Sequence, residues 1–108
     1  MKMKKEKIFE FHIQKPLNKT RRVAVEKYIT EQARANDAEL DYGWDQADDT
    51  ILHITAKPIE LEVRFHPHVV ELYGWAPLWA RLLFTDKKKA ELKAQIDGLL
   101  HEAKFVSP

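Results

Sequence analysis

A chain of 108 residues is one domain's worth of sequence, long enough to bury a single hydrophobic core. Apolar residues at 44% against charged residues at 32% describe a globular protein with a charged surface and exclude a disordered one. A formal net charge of +1 sets up no overall field toward nucleic acid or acidic membranes, and the lack of cysteine excludes disulfides and thiolate chemistry.

The opening MKMKKEKIFEFHIQ is basic but contains no apolar run, since Phe9, Phe11 and Ile13 alternate with Glu10, His12 and Gln14. A signal peptide needs roughly 7–15 apolar residues there, so none is expected. Residues 1–6 read as a disordered basic N-terminus and residues 7–105 as a single domain. Lys7 to Gln14 has the period of a half-buried strand. Pro16 breaks it and Asn18 is suited to cap a helix. From about Lys19 to Asn36 the period lengthens: Val25, Ile29 and Ala33 recur every four residues, with Ala24 and Tyr28 beside them and Arg21, Arg22, Lys27, Glu31 and Arg34 elsewhere. That pattern predicts an amphipathic helix ended by Asn36.

Alternation returns at Leu40, Tyr42 and Trp44, QADD is a turn by composition, and Thr50 to Ala56 predicts another strand carrying Leu52 and Ile54. Lys57-Pro58 turns the chain into the cleanest alternation, Ile59, Leu61, Val63 and Phe65 against Glu60, Glu62, Arg64 and His66. The second set is expected to face solvent. Pro67 marks a further turn before a strand from Val69 to Tyr73. Beyond Gly74, Pro77 suits a first helical turn, and Leu78, Leu82, Leu92, Ile96, Leu99 and Ala103 follow helical spacing. Thr85, Asp86 and Lys89 interrupt that stripe, which predicts a cap or kink at Thr85 in one long helix or between two.

Short turns between one-sided strands mean antiparallel pairing, and two amphipathic helices are available to cover one face. The expected fold is therefore α+β: a two-layer domain with an antiparallel sheet of four to five strands and both helices on one side. Leu40, Tyr42, Leu52, Ile54, Ile59, Leu61, Val63, Phe65, Val70 and Leu72 supply the sheet side of its core, and Val25, Ile29, Leu92, Ile96 and Leu99 the helix side.

Chemistry-bearing motifs are sparse. His66-Pro67-His68 invites a metal, but no HxxxH, carboxylate-rich loop or cysteine pair accompanies it, and His12 and His53 join only through the fold. It reads as a solvated turn, and no metal or cofactor is expected. The only serine is Ser107, so a nucleophilic triad lacks its nucleophile. Asp48-Asp49 suits a turn, and Glu60 with Glu62 suits a charged strand face. Three unclustered glycines make no phosphate-cradling loop. The chain reads as non-enzymatic. The basic residues Lys2, Lys4 and Lys5, Arg21-Arg22 and Lys87 to Lys89 stand apart from the aromatics, which argues against nucleic acid as a partner.

Val69 to Phe84 is the densest apolar stretch, yet it contains Glu71, Pro77 and Arg81 and falls short of the ~20 residues that span a bilayer. A cytoplasmic protein without a transmembrane segment is expected. A helix hides only one face, whereas Trp75, Leu78, Trp79, Leu83 and Phe84 spread around several. These five are the candidate interaction surface, and the stretch is either core alone or core plus such a surface.

FHIQKPLNKTRRVAVEKYITEQA as opening strand and helix, LDYGWDQADDTILHI as a tyrosine–tryptophan strand with an acidic turn, and IELEVRFHPHVVELYGWAPLWARLLF as paired strands entering an apolar helix together carry a likeness. Over roughly Phe9 to Ala103 the chain resembles the polyhydroxyalkanoic acid system protein family, also called the granule-region family. It departs from that pattern at Ala56-Lys57-Pro58, where the family tends to have glycine. The family offers no catalytic residues to carry over. The resemblance implies a bacterial accessory protein of carbon storage, acting on the polyhydroxyalkanoate granule surface, on a granule-associated protein or on a second copy of itself as a homodimer. The alternative is a small carrier holding an acyl-type or other hydrophobic ligand between the sheet and the C-terminal helix. An internal apolar cavity with one or two polar groups favours the carrier, and a filled core with exposed tryptophan favours the surface protein.

Overall fold

The computed structural model describes residues 5–35, 39–75 and 85–106. Its elements run β1 (Glu6–His12), α1 (Lys19–Ala35), β2 (Asp41–Trp44), β3 (Ile51–Ala56), β4 (Ile59–Phe65), β5 (Val69–Trp75) and α2 (Asp86–Glu102). The five strands form one antiparallel sheet in the order β1-β5-β4-β3-β2. The fold is the expected α+β arrangement, with β2 to β5 a succession of hairpins and β1 added beside β5.

Local chemistry accounts for the boundaries. The Asn18 side chain accepts the Arg21 backbone N–H at 2.8 Å, satisfying one of the free donors at the start of α1. In the β2–β3 turn, Asp45 accepts the backbone N–H groups of Ala47 and Asp48, and Asp48 accepts that of Thr50. Thr85 is an N-cap, its hydroxyl accepting the Lys88 N–H at 3.1 Å. Pro77, Leu78 and Leu82, expected at the start of that helix, lie outside the described residues. At the far end of α2, Lys104 takes a left-handed conformation with φ 64° and turns Phe105 back under the sheet.

One face of the sheet is the core. Leu52, Ile54, Ile59, Leu61, Val63, Phe65, Val70 and Leu72 are buried there against Val25 and Ile29 of α1 and Leu92, Ile96 and Leu99 of α2, as expected. Phe11, Ile13, Leu100, Ala103 and Phe105 belong to the same cluster. Phe105 stacks on Phe65 with ring centroids 5.3 Å apart, and its carbonyl accepts the N–H groups of Gln14 and Lys15. Fully burying such a side chain is worth about 1.5–3 kcal/mol, so the turn after α2 is a structural anchor rather than a tail.

The structure corrects several sequence expectations. Tyr42 is 40% exposed and Leu40 only half-buried, because β2 is a four-residue strand at the edge of the described sheet, with a partner strand on one side only. Phe9 is 38% exposed at the opposite edge, where the register of β1 shifts between Lys7 and Phe9. The strand begins at Glu6 rather than Lys7. Glu6 bonds Lys89 at 3.0 Å and Lys5 reaches Glu62 at 3.3 Å, so these two residues do not belong to a disordered start. Glu62, expected in solvent, is only 6% exposed.

Candidate functional site

The face of the sheet left uncovered by the described helices carries the polar residues of β3, β4 and β5. The register places Glu62 beside His53 on one side and Tyr73 on the other, with Lys7 next in the row. Two cations and an imidazole converge on the Glu62 carboxylate. Arg64 Nε donates to it, Lys5 Nζ lies 3.3 Å away, and His53 Nδ1 is at 4.0 Å. Lys5 also sits 5.3 Å from the Tyr73 ring centroid and 5.9 Å from that of Trp75, and Arg64 lies over Tyr73 at 4.7 Å. Each long side chain thus covers a neighbour, which buries Glu62 although neither described helix lies over it.

A second group centres on Glu71, which takes Lys7 at 2.9 Å, His66 at 2.6 Å and the Tyr73 hydroxyl at 3.1 Å. The hydrogen bonds from Lys7 and then from His66 hold its pKa down to about 2. His53 Nε2 lies 2.9 Å from Asp45, whose carboxyl pKa is lowered chiefly by that contact. This places an imidazole between Asp45 and Glu62, an arrangement able to orient a general base. Among the described residues, however, no hydroxyl or thiol is hydrogen-bonded to that ring to serve as nucleophile. His66 and His68 are exposed on the β4–β5 turn, and no group of three metal-ligating side chains forms among the described residues.

Of the five candidate interaction residues, Trp75 ends β5 on this uncovered face. It is half-buried, with its indole N–H donating to Glu60 at 2.9 Å. Leu78, Trp79, Leu83 and Phe84 lie outside the described residues. The adjacent arginines of α1 are engaged within the domain: Arg22 pairs with Asp49 and stacks on Trp44, and Arg21 bonds the carbonyls of Pro16 and Lys104.

The covered face holds the larger feature. Between the β2–β3–β4 end of the sheet and both helices lies a cavity of about 650 Å³, partly open to solvent. Ile29, Ile54, Ile59, Leu61, Leu92, Ile96 and Leu99 form apolar walls, and Tyr28, Gln32 and Gln95 add polar groups. Asp41, Thr55, Lys57 and Lys88 stand at its hairpin end with Glu39. The helices are held in contact by a notch at Gly98, where an added methyl would stand 2.8 Å from the Tyr28 hydroxyl oxygen. Burial, and then the negative charge of Glu102, push the Tyr28 pKa up and keep that hydroxyl neutral.

No protein-family model, curated protein or solved structure matches the chain. Its functional site therefore rests on geometry. The volume lies within the range of small-molecule sites, roughly 300–1,000 Å³, and the combination of apolar walls with a few polar groups is the usual composition of one. Sequence periodicity named eight of the wall residues or their neighbours as core without signalling a void, because alternation reports which side chains face inward and not how well they fill the space.

Proposed function

We propose that this protein is a non-enzymatic carrier that holds a small hydrophobic ligand between its sheet and its helices. The observation that carries this reading is the cavity of about 650 Å³ walled by Ile29, Ile54, Leu61, Leu92, Ile96 and Leu99. The space is a cleft partly open to solvent, and its volume and its apolar walls with a few polar groups match those of small-molecule sites. The likeness to the polyhydroxyalkanoic acid system family supplies a setting in which hydroxyacyl chains are the material handled, and such chains are ligands of the class the walls accept.

The experiment is a titration with Nile red, a neutral apolar dye whose emission shifts on leaving water. Saturable one-to-one binding is expected, abolished by Leu92→Trp, which fills the cavity, and retained by Trp75→Ala on the opposite face. Circular dichroism confirms that both variants stay folded. Binding that survives Leu92→Trp in a folded protein would sink the carrier reading.

A second reading is supported by Trp75, a tryptophan only half-buried on the uncovered face. In it the surface made by Trp75, Leu78, Trp79, Leu83 and Phe84 rests on a polyhydroxyalkanoate granule, a granule-associated protein or a second copy. Loss of granule pull-down in Trp75→Ala, with Nile red binding intact, would favour it.

A further inference from the structure

We infer that the cavity takes a single-chain amphiphile with an anionic head, inserted tail first; this rests on the carrier reading above. The direction of insertion follows from how the elements run. Lys89 in the first turn of α2 pairs with Glu6, the start of β1, and Glu6 stands opposite Gly74 near the end of β5. Gly74 is in turn the neighbour of Leu61, three residues from the Lys57-Pro58 hairpin. The first turn of α2 and the hairpin therefore share one end of the domain. The other end of α2 reaches Phe105, whose carbonyl holds Gln14 beyond β1.

Along α2 the cavity-lining residues are Lys88, Leu92, Gln95, Ile96 and Leu99, a single helical stripe that begins charged and finishes apolar. The cavity thus carries its charged groups where the hairpin and the start of α2 meet, and at depth it is uncharged, with apolar walls and the polar groups of Gln95 and of Tyr28 beside Gly98. A tail lying along the stripe points toward Leu99, and its head is left beside Lys88.

Two magnitudes narrow the ligand. From Lys88 to Leu99 the helix rises about 16 Å at 1.5 Å per residue. A fully extended chain advances about 3.3–3.6 Å for every three bonds, so roughly 14 bonds span that distance. At roughly 30 Å³ for each water-sized group, the cavity of about 650 Å³ holds on the order of 20 such groups. One chain of about a dozen carbons with its head fits, and a two-chain lipid does not.

The sign of the head follows from position. Lys88 is half-buried, its ion-pair partner Glu91 is 3.9 Å away on the same helix, and the positive end of the helix dipole adds to it. Lys57 extends the positive side at the hairpin. Glu39 and Asp41 line the β2 side of the same end. They repel an anion from the wall on which the tail does not lie and so favour its placement on the α2 side.

The test is competition with bound Nile red by dodecanoate, dodecanol, dodecylamine, octanoate and a two-chain phosphatidic acid, each below its aggregation threshold. Dodecanoate is expected to displace the dye at concentrations several-fold below dodecanol and dodecylamine. Octanoate, four methylenes shorter, should be at least about tenfold weaker than dodecanoate. Lys88→Glu, compared against its own dye affinity, should reverse the order of carboxylate and amine. Dye binding with no preference for the carboxylate, or a preference unmoved by Lys88→Glu, overturns the anionic head and leaves the carrier standing. Phosphatidic acid competing as well as dodecanoate overturns the single chain. No dye binding by the parent protein overturns both readings.

Discussion

The two faces of the sheet solve the problem of burial in opposite ways. The covered face has two helices over it and a nearly continuous set of apolar side chains, yet it retains a cavity of about 650 Å³. The other face has no second layer among the described residues, yet its long side chains fold across one another until the Glu62 carboxylate is almost without solvent. Coverage and closure are thus separate properties. Two helices packed over a sheet can leave space between themselves and its strands, while a charged row can close itself through paired lysine, arginine and tyrosine side chains.

The comparison can be broken most forcefully on the covered face. Ile96 is 5% exposed, and Ile96→Asp puts an unpaired carboxylate among apolar walls, at a cost of several kcal/mol against a total stability of about 5–15. Loss of the cooperative thermal transition is expected. A variant melting within a few degrees of the parent would show that this wall is wet, and that the cavity rather than the core governs the position.

The uncovered face is sharpened by pH. The pKa of Glu71 is depressed to about 2 in the folded chain by Lys7 first and His66 second, below the ordinary glutamate value. Its pairing therefore stabilises the fold fully above that ordinary value, and the stabilisation is lost as pH falls toward about 2. Because Lys7 is exposed, the effect is expected to stay below about 1 kcal/mol. Urea midpoints of the parent and Glu71→Gln, followed from neutral pH into acid, should converge as the carboxylate protonates. Midpoints separated equally at both extremes would place the contribution of Glu71 outside its charge.

The smallest effect is expected at the turn joining β4 and β5. His66 and His68 are both exposed, and changing the two to alanine should move stability by no more than about 0.5 kcal/mol, even though His66 bonds Glu71. Chemical denaturation measures it. A larger loss would mean that the Glu71 group acts as one network rather than as separate surface pairs.

The sheet and both helices were legible because alternation and helical spacing are direct records of which side chains face inward. Leu61 and Ile96 are examples: each sits in an unbroken pattern and each is buried. Glu62 occupies the polar phase of the same pattern, and only its cross-strand neighbours His53 and Tyr73, together with Lys5 from the far edge, decide that it is closed off. No local pattern contains that information. Phe105 was missed for a related reason, since it follows α2 after a left-handed residue and no longer shares the helical stripe. Tyr42 failed in the other direction: its alternation is sound, but it stands on an edge strand that has a partner on one side only among the described residues. The cavity depends on how the helices seat over the sheet, a property of three-dimensional packing that periodicity does not record.

The placement of β1 sets an order of events for the growing chain. Among the described strands its one neighbour is β5, so Phe11 must wait for Val70 before it can pair. At a synthesis rate of about 5–20 residues per second, that leaves the first strand of a nascent chain without its partner for several seconds, while the β2 to β5 meander assembles from neighbours in sequence. Pairings so distant along the chain are entropically slow to close, and they tend to limit the rate of folding. The meander is therefore the natural nucleus, and β1 is the late-arriving strand that completes the sheet.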